Sequence, residues 1–353
     1  MDNLTYKRFS DVNLNDPFFN SLKSDYSEFS DWFMRKANNK NEFAYVLYNE
    51  HHNIDGFLYL KQENEIPDIT PPIYNRRILK VGTFKFNPKG TLRGQRFIKK
   101  ILDIAIANRF ELIYLTIFEK HDYLIKLFQK YGFYEAGTKH TVNGTEYVYM
   151  RDMQHISDDI IKDYPYINPN AHKYILAIHP KFHTRLFPES ILCNEYQDIV
   201  EDVSHSNSIH KIYISAADNA HKLNHGDILI IYRTNDGQGH AYYRSVVSSV
   251  CVVEEVRHIS EFQNEEDYLQ YCNRFSVFTK AELSKFYKEK RYPYAIRFTY
   301  NIALPRRANR KELLENDVIR EQTRIVLTQI TNEQFSKILE LSHTDESFII
   351  DQA

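Results

Sequence analysis

The chain has 353 residues, 42% hydrophobic and 14% aromatic, which is enough apolar material for two packed cores and excludes wholesale disorder. With 45 Lys and Arg against 47 Asp and Glu, bulk charge excludes a generally basic nucleic-acid module, so any polyanion site has to be a local patch. The N-terminus is polar and no apolar run approaches the ~18 residues of a membrane helix, so no signal peptide or span is expected. Cys193, Cys251 and Cys272 match no disulfide or metal spacing and read as reduced core residues of a cytoplasmic protein.

Taken in order, Leu4 to Phe9 predicts a short strand, and Asp16-Pro17 predicts a capped helix start. Tyr26, Phe29, Trp32, Phe33 and Ala37 repeat at helical spacing. Phe43 to Tyr48 and Phe57 to Leu60 predict a hairpin around Asp55-Gly56, and the proline-bearing stretch from Gln62 to Asn75 reads as an inserted loop. Alternation through Leu79, Val81, Phe84 and Phe86 then leads into a turn with Asn87, Pro88, Gly90 and Gly94. Helical spacing follows at Phe97, Ile98, Ile101, Leu102 and Ala105. The first amides of such a helix lack partners and favour an anion, with Arg93, Arg96, Lys99 and Lys100 adding charge. A strand over Leu112 to Phe118, a helix ending at Gly132-Phe133, and a hairpin about Asn143-Gly144 close this block near residue 153.

The block from Lys80 to Phe133 resembles the acetyl-CoA-binding core of GNAT acetyltransferases. Arg93-Gly94-Gln95-Arg96-Phe97-Ile98 falls on the family's phosphate-cradling turn; Arg93 and Gly94 match, while Arg96 and Ile98 replace small residues. LIKLFQKYGF resembles the closing helix-turn signature, with Phe128 where a tyrosine acid is usual. The resemblance implies acetyl-CoA as cofactor, held by the main chain of Phe84, Lys85 and Phe86 and by the 93–98 turn. With the usual acid missing, Tyr131 is the first choice as acid, and Glu119 or His121 as base acting directly or through water. Tyr26 and Trp32 would wall the acceptor site or pack in the core.

Residues 156–170 carry Pro165 and Pro169 and read as a linker between a domain at 1–155 and another at 171–353. Strands are expected at Tyr174 to Ile178, Lys211 to Ile214, Ile228 to Tyr232, Ala241 to Val256 and Tyr294 to Tyr300, with helices at Glu265 to Asn273 and Lys280 to Lys288. The Gly226-Asp227 turn and the Val246 to Glu254 strand resemble PUA-like barrels of the ASCH/EVE type. That resemblance implies a nucleic-acid cleft, RNA such as tRNA before DNA, with Ser215, Arg233, Tyr242, Tyr243, Arg244, His258, Arg306 and Arg307 as candidates.

The expected fold class is therefore α/β (α+β): a GNAT-like mixed sheet flanked by helices, plus a PUA-like β-barrel decorated with helices. The expected function is an acetyl-CoA-dependent N-acetyltransferase served by a nucleic-acid-binding domain. Alternatives are a protein or small-amine acetyltransferase, and a non-catalytic binding module of a toxin-antitoxin or phage-defence system. The pair His179 and His183 lacks the glutamate of a zinc-protease motif, and no metal is expected.

Overall fold

The computed structural model describes residues 4–49, 51–87, 92–187, 208–322, 324–344 and 349. Cys193, Pro88 and Gly90 lie outside them. Contacts divide the chain into Met1–Asp158 and Asp159–Ala353. Among the described residues no helix is long and apolar enough to cross a membrane.

The first unit carries β1 (Leu4–Arg8), α1 (Asn20–Asp25), α2 (Phe29–Ala37), β2 (Phe43–Tyr48), β3 (Ile54–Glu63) and β4 (Ile78–Phe86). It continues with α3 (Arg93–Ala107), β5 (Leu112–Ile117), α4 (Asp122–Lys130), β6 (Tyr134–Thr141) and β7 (Gly144–Asp152). Its seven strands are ordered β1-β2-β3-β4-β5-β7-β6. Only β4 and β5 run parallel, because α3 supplies the crossover that a parallel pair requires. Asp16 caps the turn at Pro17–Phe19, its Oδ1 accepting from the Phe18 amide at 2.9 Å. Phe9, Phe19, Phe33 and Phe57 form an aromatic core with edge contacts at 5.0–5.6 Å, a geometry worth ~0.5–1.5 kcal/mol per pair beyond area burial. The 62–75 loop is pinned rather than free: Thr70 and Thr138 exchange main-chain hydrogen bonds of 2.8 and 3.1 Å, and Ile66 and Ile69 are buried.

The second unit carries β8 (Lys173–Ile178), α5 (Pro180–Leu186), β9 (His210–Ser215), β10 (Ile228–Arg233), α6 (Ala241–Arg244), β11 (Val246–His258), α7 (Glu265–Asn273) and α8 (Lys280–Glu289). It ends with β12 (Tyr294–Ala303), α9 (Arg310–Glu315), β13 (Leu327–Ile330) and α10 (Asn332–Leu341). Its six strands form one mixed sheet ordered β13-β8-β10-β11-β12-β9. Two apolar clusters, one around Ile230, Val250 and Ile338 and another around Ile231, Cys251 and Phe298, alternate along β10 and β11, as buried strands require. Cys251 and Cys272 are buried free thiols.

Two expectations are corrected here. The stretch at 156–170 is no free linker: Tyr164 and Ile167 are fully buried, and the Tyr164 hydroxyl donates to the Tyr300 carbonyl at 2.7 Å, which anchors the stretch in the second unit. The β-run expected from Ala241 begins with the one-turn helix α6, started by His240, whose Nδ1 accepts from the Tyr242 amide.

His183 on α5 is fully buried, with Nε2 2.7 Å from Ser248 Oγ. Burial, then the Arg233 and Arg307 guanidiniums, push its pKa from 6.5 down to about 3. The unfolded chain binds this proton below pH 6.5 and the folded chain only near 3. Between those values the unfolded state therefore holds more protons, and stability is lost as pH falls through the window. In urea unfolding of the second unit, His183→Gln is expected to flatten the stability decline between pH 6.5 and 4.5. A variant with the wild-type slope would contradict this.

Candidate active site

In β4 and β5 the ladder is short. They pair only at Ile78–Leu112, Leu79–Ile113 and Lys80–Tyr114, after which they part. β4 continues to Phe86 paired with β3, and β5 continues paired with β7. Among the described residues, one main-chain edge of Val81–Phe86 therefore has no strand beside it. A cleft of about 500 Å³ opens there, lined by Val81 to Phe86 on one side and by Leu115 to Ile117 on the other. Unpaired strand amides and carbonyls inside a cleft demand a partner, either water or an extended ligand with amide groups.

Phe84, Lys85 and Phe86 line the cleft. The Phe84 ring packs tilted against Phe128 at 4.9 Å and edge-on against Phe97 at 5.7 Å, fixing the floor. The Lys85 ammonium donates to the Phe18 carbonyl and to Ser21 Oγ, tying β4 to α1, and burial lowers its pKa.

The 93–98 turn is different from expectation. Arg93 is buried and its Nη2 lies 2.9 Å from Asp55 Oδ2, so its guanidinium is committed to an internal ion pair instead of a phosphate. A Cβ on Gly94 would meet Leu127 Cδ2 at 2.8 Å and Phe86 Cζ at 2.9 Å; the glycine is needed for close packing of α3 on its neighbours. Gln95, Phe97 and Ile98 are buried on the inner side of α3, and Arg96 is half-buried. What this segment offers an anion is the positive end of the 15-residue helix α3 itself.

Among the expected catalytic residues only His121 faces the cleft, with Nε2 3.2 Å from Asp25 Oδ2. Tyr131 is fully buried, packed at the end of α4 with its carbonyl accepting from Arg151 Nη1, and it is absent from the cleft wall. Glu119 is exposed and also outside the lining. Tyr26, named from the sequence as a possible wall of the acceptor site, lies in the cleft wall, and it is paired there with Glu146, which the sequence reading did not single out. The Tyr26 hydroxyl donates to Glu146 Oε1 at 2.8 Å across 120 residues, and Glu146 is only 3% exposed. Burial, then the charge of Glu146, raises the tyrosine's pKa far above its ordinary value, so Tyr26 stays protonated and holds the carboxylate. The one available signal was local: on β7 Glu146 shares an alternating face with Val148 and Met150, a charged residue at an inward position.

The nucleic-acid candidates divide between the two ends of β11, whose 13 residues span roughly 40 Å. At one end Ser215 is buried, its Oγ accepting from the Ala217 amide, while His258 caps a short turn and meets Tyr294 edge-on at 5.2 Å. At the other, Arg233 is buried with Nη2 3.7 Å from Asp236 Oδ2, and Arg244 grips the same carboxylate, holding it well below the usual range. Tyr242 donates to Glu321 Oε1 at 2.9 Å, Arg306 pairs with Glu312, and Arg307 lies near His183. Tyr243 is 63% exposed. The eight residues thus do not meet in one cleft. No group of three or more His, Cys, Asp or Glu placed to hold a metal exists among the described residues.

No protein-family model matches the chain, and no curated relative does. Solved structures do. Chaetomium thermophilum Naa20 in complex with a bisubstrate analogue is 17% identical over 44% of this chain and 93% of its own, with a TM-score of 0.34. Arabidopsis thaliana NAA60 in complex with acetyl-CoA is 14% identical over 43% of this chain and 100% of its own, TM-score 0.32. A mutant of ZmASCH from Zymomonas mobilis is 12% identical over 48% of this chain and 95% of its own, TM-score 0.31.

Proposed function

We propose that the first unit is an acetyl-CoA-dependent N-acyltransferase. The observation that carries the reading is the open edge of Val81–Phe86 facing a cleft of about 500 Å³, within the usual 300–1,000 Å³ of small-molecule sites. The free main-chain groups of β4 suit the amide-bearing arm of the cofactor, and the start of α3 suits its phosphates. When bound, the cofactor supplies an acyl thioester. The chain's own residues then have three tasks. The β4 edge fixes the arm and offers an amide to the carbonyl oxygen, and the phenylalanine floor excludes water. The Tyr26–Glu146 pair offers a carboxylate to the acceptor's proton. Calorimetric titration with acetyl-CoA and with CoA tests this: micromolar dissociation constants, on the order of 8 kcal/mol, are expected. No heat at hundreds of micromolar ligand overturns the reading and favours a non-catalytic binding module.

For the second unit, RNA binding is proposed on one observation. α6 packs against α9, which sets Tyr242 and exposed Tyr243 beside Arg310 and Lys311, the Lys311 ammonium lying 6.0 Å over the Tyr243 ring. Aromatic faces interleaved with basic groups suit single-stranded RNA. Affinity for a single-stranded oligonucleotide is then expected to fall with salt in proportion to the phosphates neutralised; a salt-independent or absent signal sinks it.

A further inference from the structure

At the β1 end of the first sheet, two cross-strand pairs point to one face. Tyr6 lies opposite Tyr45 and Arg8 opposite Phe43, and residues two apart on a strand share a side. The Tyr6 ring is stacked on Phe43 at 5.0 Å, with the planes 14° apart, and tilted against Tyr45 at 4.7 Å. A cation closes each end of this row of rings. The Arg8 guanidinium is 5.9 Å from the Phe43 centroid, and the Lys100 ammonium, from α3, is 5.1 Å from that of Tyr45. Tyr6 is nevertheless 60% exposed. One exposed tyrosine needs no explanation, but three rings in contact between two cations form a patch that does.

The row borders a groove of about 200 Å³, with Leu60, Leu79, Ile104 and Phe110 as its apolar lining and the side chains of Gln62 and Asn108 supplying amides. That is below the usual 300–1,000 Å³ of drug-sized sites and suits one planar ring. The carboxylates beside these residues in the chain are already occupied: Glu42 by Lys36 and the Tyr59 hydroxyl, Glu63 by Lys61 and Lys80, Asp103 by Lys99, and Glu111 by the Arg77 amide. Arg8 and Lys100, by contrast, make no ion pair among the described residues. Burial, then the Glu42 charge, raises the pKa of Tyr6, and burial raises that of Tyr45, so both hydroxyls stay protonated at neutral pH. We infer that this face is a docking surface for single-stranded nucleic acid, with bases lying on Tyr6 and in the groove beside it and with Arg8 and Lys100 on the flanking phosphates. Stacking faces set among uncommitted cations suit an unpaired strand, whereas a duplex keeps its bases stacked on one another and presents no ring to the groove. A second copy of this chain suits the patch less, because a two-fold contact would set its positive charges against the same charges of the other copy. The surface belongs to the first unit and is independent of the one proposed on α6 and α9.

A short fluorescein-labelled single-stranded RNA of mixed sequence is titrated into the full chain and followed by anisotropy. The same titrations in a chain carrying Tyr243→Ala and Lys311→Gln remove the second-unit surface from the signal. In that background, Tyr6→Ser is expected to weaken binding at least about tenfold, and Tyr6→Phe, which keeps the ring, to stay within about twofold. Neither is expected to alter CoA affinity. Arg8→Gln combined with Lys100→Gln is expected to reduce the slope of log affinity against log salt by about 1.4, at ~0.7 for each phosphate contact on a single strand. A bromouridine-substituted oligonucleotide, photo-crosslinked and mapped by mass spectrometry, is expected to mark Tyr6, Phe43 or Tyr45. Full affinity in Tyr6→Ser together with an unchanged salt slope overturns the inference, as do crosslinks confined to residues outside 4–8 and 43–45. Absence of binding in the Tyr243→Ala, Lys311→Gln background overturns it and leaves any binding by the native chain to the second unit. A duplex of the same sequence, or polyglutamate, competing as well as the single strand overturns it too. A concentration-dependent dimer in sedimentation that Tyr6→Ser abolishes would give the face to a second copy instead.

Discussion

Replacing Arg93 with methionine is expected to cost the first unit about 3–5 kcal/mol, the penalty of stranding the partner of a buried ion pair. The side chains of Arg93 and Asp55 are 6% and 1% exposed, with 2.9 Å between Nη2 and Oδ2. Asp55 also accepts from the Asn87 side-chain amide at 2.8 Å, so it ties β3 both to the end of β4 and to the first turn of α3. Methionine keeps much of the volume but leaves a carboxylate in the interior. Urea unfolding checks this, and Asp55→Asn combined with Arg93→Met is expected to recover part of the loss. A stability change under ~1 kcal/mol together with lost CoA binding would return Arg93 to the phosphate role that its place in the sequence suggests.

Thr116→Trp is expected to weaken CoA binding by at least about a hundredfold, roughly 2.7 kcal/mol, with little change in stability. Thr116 is half-buried on β5, facing the opening between the parted strands, and its backbone is already paired with Val148 on β7. An indole there has room in the cleft and removes that room from a ligand. Tyr134→Trp, at a position 50% exposed on β6, is the control and should bind CoA normally. Normal affinity in Thr116→Trp would place the ligand elsewhere.

Local pattern carried far in this chain, and its failures have physical reasons. Alternation through Leu79 to Phe86 and helical spacing from Phe97 to Ala105 were legible because each reports one element's buried face. The Asn143-Gly144 hairpin was legible because that dipeptide suits a two-residue turn, yet its second role was not: Asn143 also holds Glu28 at the start of α2. Arg93 was read as a phosphate ligand because sequence shows a charge at a helix start; it does not show Asp55, 38 residues earlier, waiting beneath it. Tyr131 fits a signature by its place before Gly132, but the helix turns its ring into the core. The Tyr26–Glu146 pair is formed by tertiary packing alone, so no spacing rule reaches it. On β11 the candidates were chosen by residue type, and strand length, which sets their separation, decided that they do not meet.

Amide hydrogen exchange measures the open edge of β4 directly. Peptides covering 81–86 and 112–117 would be followed with and without saturating acetyl-CoA. Slowed exchange is expected in 81–86, where main-chain groups gain a partner, with a smaller change in 112–117, whose backbone already pairs with β7. Exchange in 81–86 that is unaltered by saturating ligand, or protection confined to the second unit, would contradict it.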